Sequence, residues 1–144
     1  MSYSVDTNIL LYASDRSSPH HAAAAAFLES RTEDPDLFCV CWTTLIAYLR
    51  IATHPRIFAH PLSPEEALSN VESLIDLPRT RLLSEEEGFL DVYRVVTEHA
   101  AVRGNLVPDA HLAGLLRQHG VGTLYTADAD FRRFDFLQVR NPID

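Results

Sequence analysis

Three aspartates stand where a carboxylate is hardest to accommodate. Asp6 separates the short β-favouring run "SYSV" from the apolar run "TNILLYAS"; Asp109 lies in "NLVPDAHLAGLL"; Asp128 lies in "TLYTADADF". Counting from Asp6, the apolar residues Ile9, Leu10 and Ala13 fall at i+3, i+4 and i+7, and Asp109 repeats the spacing with Leu112, Ala113 and Leu116. Each acid therefore heads the stripe that its helix must bury, at the end nearest the sheet. An ionised group there loses hydration and needs a partner. The positive end of a helix supplies part of it, and Asp6 taken alone reads first as a plain N-cap. Asp128 tips the balance, because it lies just past a strand, at the edge where open α/β sheets collect ligands. Asp6, Asp109 and Asp128 in one crevice, with Asp130 close behind, would repel one another. A hard divalent cation resolves that repulsion through oxygen ligands, and its chemistry is water activation and charge stabilisation in phosphodiester cleavage.

The elements that must position these acids alternate along the chain. "SYSVD" predicts a first strand, followed by a helix from Thr7 to about Ser14. "SSPHHAAAAAFLES" predicts a second helix with Ser18 as cap and Pro19 at its first position. "LFCVC" is a strand, "WTTLIAYLRIATH" a helix ending before Pro55, and "SPEEALSNVESLIDL" a helix opened by Ser63 and Glu66 at capping-box spacing. "TRLLS" is a short strand, and "SEEEGFLDVYRVVTEHAAV" begins with a second box, Ser84 and Glu87. "VPDAHLAGLLRQHG" is a helix closed by Gly120, "GTLYTAD" a strand, "ADFRRF" a helical turn and "LQV" an edge strand. Strands alternating with helices predict a parallel α/β sandwich.

The 144 residues suffice for one domain, residues 1–144, with a core that needs neither disulfides nor structural metal. No apolar run reaches membrane-spanning length and the N-terminus shows no signal-peptide pattern, so the expected location is cytoplasmic. Cys39 and Cys41 share one face of a strand, the usual place of buried thiols. The net charge of −8 excludes a nucleic-acid binder that relies on a broad basic surface. It leaves room for a nucleic-acid enzyme whose acids are neutralised by cations. All 12 basic residues are arginine, a side chain suited to bidentate phosphate contacts.

"VDTNILLYA", "LRIATHPRIF", "NLVPDAHLAGLL" and "LYTADADFRRF", in this order and over nearly the whole chain, resemble a PIN domain, and more narrowly a toxin ribonuclease of the VapC type. The resemblance implies a three-layer sandwich: a central, mostly parallel sheet of 4–5 strands flanked by helices. It implies a Mg²⁺- or Mn²⁺-dependent endoribonuclease acting on RNA, often a homodimer, controlled by a cognate antitoxin. Asp6, Asp109 and Asp128 match the family's metal-binding acids, Asn8 a polar residue that supports the first acid, and Thr126 a hydroxyl residue of the same cleft. Asp130 falls where a further acid assists. One departure stands out: many PIN domains carry a glutamate in a pattern resembling "L-A-E-L-L-R", and here the segment is "LIAYLR", with Ala47 at that position.

That departure keeps a second reading in play, a catalytically impaired PIN-like module that binds RNA or protein. Arg50, one helical turn after Ala47, suits a substrate phosphate, the acidic cluster or an unrelated ion pair. Arg132 and Arg133, beside Asp130, suit contacts with RNA backbone, and solvated surface is the favoured reading for at least one of them. His20 and His21, being adjacent on a helix, point in different directions and suit no shared metal. Trp42, Tyr48 and Phe58 read as core or dimer contacts.

Overall fold

The structure is a computed structural model describing residues 1–144. Its first strand, β1 (Ser2–Val5), runs directly into α1 (Thr7–Ser14), as the change of period from two to 3.6 at Asp6 requires. Next come α2 (His21–Glu29), β2 (Leu37–Cys41), α3 (Trp42–Ala52), α4 (Pro64–Ile75), β3 (Thr80–Leu83), α5 (Phe89–Thr97), α6 (Val107–Gln118), β4 (Thr123–Tyr125) and β5 (Gln138–Arg140). The five strands form one all-parallel sheet in the order β3-β2-β1-β4-β5. The chain steps outward from β1 to β2 to β3, then returns to the other side of β1 for β4 and β5. The switch point of the sheet therefore lies between β1 and β4.

Both faces of the sheet are covered, so side chains of alternating parity enter two separate cores. Tyr3, Val5, Phe38 and Val40 face α1 to α4, where they meet Ile9, Leu10, Phe27, Leu45, Tyr48 and Val71. Cys39, Cys41, Leu83 and Leu124 face the other way, onto Leu112, Ala113, Leu115 and Leu116 of α6 and onto Phe131 and Phe134. The two cysteines are free, buried packing residues, and burial pushes the Cys41 thiol up to about 12. Tyr48 and Phe58 are core, whereas Trp42 is 43% exposed.

Two helix starts differ from the sequence expectation. The second helix begins at His21 and not at Pro19, with no side-chain cap. Ser18 Oγ accepts from the His20 N–H at 3.1 Å, closing a local turn that uses the hydroxyl one step too early to cap a helix. The Ser84/Glu87 box does not form, and α5 starts only after Gly88, at φ 82°. Here a tertiary contact wins. Gln118, at the end of α6, donates to the carbonyls of Glu86 (3.1 Å) and Glu87 (3.3 Å) and accepts from the Glu86 N–H (2.9 Å). His119 Nε2 lies 2.8 Å from the Ser84 carbonyl. With its backbone engaged from outside, 84–87 does not enter the helix. The Ser63–Glu66 box forms as expected, and Gly120, at φ 70°, follows the end of α6 in the left-handed conformation that favours glycine.

Candidate active site

Asp6 is the first residue past β1, and its N–H still donates to the Tyr125 carbonyl at 2.9 Å, prolonging the β1–β4 ladder by one rung. Thr126 prolongs β4 in the same way, donating to the Arg140 carbonyl at 2.9 Å. The two side chains therefore stand side by side on the carboxyl edge of the sheet, at its switch point. Asp6 caps α1: Oδ1 accepts from the Thr7 N–H at 2.7 Å. Oδ2 accepts from the Thr126 hydroxyl at 2.8 Å.

Thr126 is 1% exposed and is the hub. Its oxygen accepts from Asn8 Nδ2 at 3.2 Å and from the Asp128 N–H at 3.0 Å. Both neighbours are N–H donors, so its one proton goes to Asp6, and the hydroxyl's capacity of one donor and two acceptors is filled. Asn8 completes the ring, its Oδ1 accepting from the Ala127 N–H at 3.4 Å. Asp128 Oδ1 accepts from the Asp130 N–H at 2.9 Å and opens a short 3₁₀ turn, Ala129–Arg133. That turn is pinned by Phe131 and Phe134, 1% and 2% exposed.

Asp109 enters from the first turn of α6, above the buried stripe Leu112, Ala113 and Leu116. Its carboxyl is pushed up to about 6, first by burial and then by the charges of Asp128, Asp6 and Asp130, with Arg133 pulling the other way. Burial also pushes the Asp6 carboxyl up; the Thr126 and Thr7 hydrogen bonds oppose that, and Asp128 adds to it. The four aspartates thus share one electrostatic field. No three of the molecule's acidic, histidine or cysteine side chains stand close enough together to hold a metal ion between them, so the expected convergence of Asp6, Asp109 and Asp128 stops short of a ready-made cage. The donors are all oxygen, a set that suits a hard divalent cation far better than a soft one.

Arg50 differs from one expectation. It is exposed and pairs with none of the acids, so it does not steady them. Ala47 is half-buried on α3, a helix tied to the site by Thr7 Oγ1, which donates to the Thr44 carbonyl at 3.3 Å. Nothing in the sequence signals that link, because a threonine next to a cap is unremarkable. His20 packs edge-on against the Tyr12 ring, and His21 Nδ1 lies 3.1 Å from the Tyr12 carbonyl. His54 accepts from the Arg56 N–H, and His111 pairs with Glu85. An open cleft lies elsewhere, walled by α1, α2 and α4 over Leu28, Leu62, Leu74 and Leu77, and contains none of the four aspartates.

The PIN domain family matches residues 3–137. Ribonuclease VapC48 of Mycobacterium tuberculosis is 41% identical over 142 residues, 99% of this chain and 98% of that protein. Among solved structures, VapBC2 from Rickettsia felis bound to a DNA fragment from their promoter superposes with a TM-score of 0.70 at 18% identity, covering 98% of each chain. Mycobacterium tuberculosis VapC20, described as a sarcin-ricin loop cleaving toxin, superposes with a TM-score of 0.66 at 18% identity, covering 96% of this chain and 98% of that one. At such identities the structures speak for the fold, whereas the sequence relative and the domain match fix the lineage. The chain belongs to the PIN-domain family and, within it, to the VapC ribonucleases.

Proposed function

We infer that this protein is the endoribonuclease toxin of a toxin–antitoxin pair, hydrolysing RNA phosphodiester bonds with Mg²⁺ or Mn²⁺ held by Asp6, Asp109 and Asp128. The observation that carries this reading is the cluster of Asp6, Asn8 and Asp128 hydrogen-bonded around Thr126 at the sheet's switch point, within the electrostatic reach of Asp109. When bound, the cation lowers the pKa of a coordinated water and offsets charge developing on the phosphodiester. Thr126 and Asn8 fix the direction in which Asp6 presents its free lone pairs. Asp130, exposed on the turn after Asp128, positions the attacking water. In-line attack leaves 5′-phosphate and 3′-hydroxyl ends.

Residues 1–144 act as one PIN-like unit. No helix is long and apolar enough to cross a membrane, and the proposed site of action is the cytoplasm. An antitoxin is the proposed controlling partner, since solved neighbours include VapBC assemblies and an acidic rim invites a basic side chain. A homodimer is supported by Trp42 and Ile46, one turn apart on α3 and 43% and 58% exposed, which offer an apolar stripe to a second copy. Ala47, in place of an acid, favours the alternative of a non-catalytic binding module.

Defined RNAs incubated with purified protein, with and without Mn²⁺, separate the two readings once the cut ends are mapped. Asp6→Asn keeps a good N-cap, so it is expected to fold and to lose all EDTA-sensitive cleavage. Undiminished cutting by that variant refutes the site; RNA binding without cutting under any metal condition selects the module.

A further inference from the structure

We propose that Arg133 is the residue that holds the RNA backbone at this site, its guanidinium engaging a phosphate oxygen beside the bond presented to the acids. The inference rests on the ribonuclease reading and deepens it, by choosing one arginine from the 12 in the chain.

Arg132 and Arg133 are neighbours on the 3₁₀ turn, and both are exposed. Their surroundings differ. Arg133 Nε donates to the carbonyl of Asp130 at 3.0 Å, which fixes the plane of the guanidinium while both terminal nitrogens keep their donors. Arg132 has no such anchor. The turn carrying them cannot drift, because Phe131 and Phe134 on either side are sunk into the core and Asp128 closes its first residues. Asp128, Asp130 and the anchored cation therefore travel as one rigid piece.

Arg133 stands on the turn that Asp128 opens, anchored to Asp130, so it shares one short element with two of the four acids. Yet Arg133 forms no ion pair with any carboxylate. A cation on the turn of Asp128 and Asp130, tethered through one nitrogen to a backbone oxygen and bonded to no carboxylate, has its donors available to an incoming anion. A phosphodiester is such an anion, and an arginine fork matches its oxygens. The other conspicuous arginines are engaged elsewhere: Arg31 is buried against aromatic rings and Asp34, Arg79 binds the Asp34 and Thr32 carbonyls, and Arg117 covers Phe136. Arg50 is free but shares no turn with an acid of the site.

The test compares Arg133→Ala, Arg133→Lys and Arg132→Ala. Binding of a labelled single-stranded RNA of mixed sequence is measured in EDTA across a salt series, and KM and kcat are measured in Mn²⁺. Loss of one charge-assisted phosphate contact predicts a rise of about ten-fold in Kd and KM for Arg133→Ala, with kcat nearly unchanged. The slope of log affinity against log salt should flatten by about 0.7. Arg133→Lys should recover only part of the loss, because an ammonium lacks the fork, and Arg132→Ala should match the parent. Cleavage with parental KM in Arg133→Ala, or an equal loss in Arg132→Ala, overturns the assignment while the nuclease reading stands. Binding that depends on Arg133 in a protein that cuts nothing does the reverse. A parent that binds no RNA at low salt overturns the assignment outright.

Discussion

Replacing Thr126 by valine removes one oxygen from the centre of the site and almost nothing else. The side chain is 1% exposed, and valine has nearly its shape. Three hydrogen bonds go with that oxygen: a charge-assisted one to Asp6 and two accepted from Asn8 and the Asp128 N–H. The first is worth about 1.5–3 kcal/mol and each of the others about 1 kcal/mol. Solvent at the rim recovers part of the sum, so the expected destabilisation is about 2–4 kcal/mol. Urea unfolding checks it. The sign at Asp6 also follows: the Thr126 bond holds its carboxyl down against burial, so the variant's acid limb of activity moves to higher pH. Thr126→Ser retains the hydroxyl and is expected to stay within about 1 kcal/mol of the parent. A cycle with Asp6→Asn separates the hydrogen bond from packing, since the coupling must appear between those two positions. Stability within about 0.5 kcal/mol of the parent in Thr126→Val, or an equal loss in Thr126→Ser, would show that the hydroxyl is not the hub.

Asp109 carries a pH prediction. Its carboxyl rises from an ordinary 3.8 to about 6 in the folded protein, so between those values the native state binds more protons than the unfolded chain. Stability in chelator therefore falls as pH rises through that window and stays low above it. Allowing for solvent screening, the loss is on the order of 1 kcal/mol. Asp109→Asn should be more stable than the parent at neutral pH in EDTA, equal to it in acid, and inactive; a parent whose thermal midpoint in EDTA climbs between pH 4 and 6 relative to that variant contradicts the shared field. Ala47→Glu adds a carboxylate on the helix tied to Thr7 and should lower the Mn²⁺ concentration giving half-maximal cleavage; an unchanged or raised concentration would show that position 47 does not face the cation. Arg31 is 8% exposed, with its guanidinium 4.1 Å from the Phe27 ring centroid and 4.9 Å from that of Tyr3. Arg31→Ala should cost about 3 kcal/mol on urea unfolding while leaving the cleavage rate per folded molecule untouched.

What the sequence disclosed followed from how local each signal was. The junction at Asp6 could be read because strand period, cap and apolar stripe all lie within a dozen residues, and the same holds for Asp109 and for the Ser63–Glu66 box. Ser84 and Glu87 satisfied the same local rule and failed, since the amide that captures their backbone belongs to Gln118, more than 30 residues away. Asn8 and Thr126 entered through family resemblance; spacing alone could not have found them, because Asn8 and Thr126 meet across 118 residues of chain. Arg31 went unremarked for the same reason, its aromatic cradle being assembled from β1, α2 and β4. Among the arginines, Arg132 and Arg133 were equal candidates on paper, and only the anchoring of one guanidinium on the Asp130 carbonyl separates them. The acids that create the electrostatic problem are written locally, whereas the groups that make it tolerable come from distant segments brought together by the parallel pairing of β1 with β4. A change that slides β4 one residue against β1 would leave every acid present and every motif legible, and would still dismantle the site, because the Thr126 hydroxyl would no longer face Asp6.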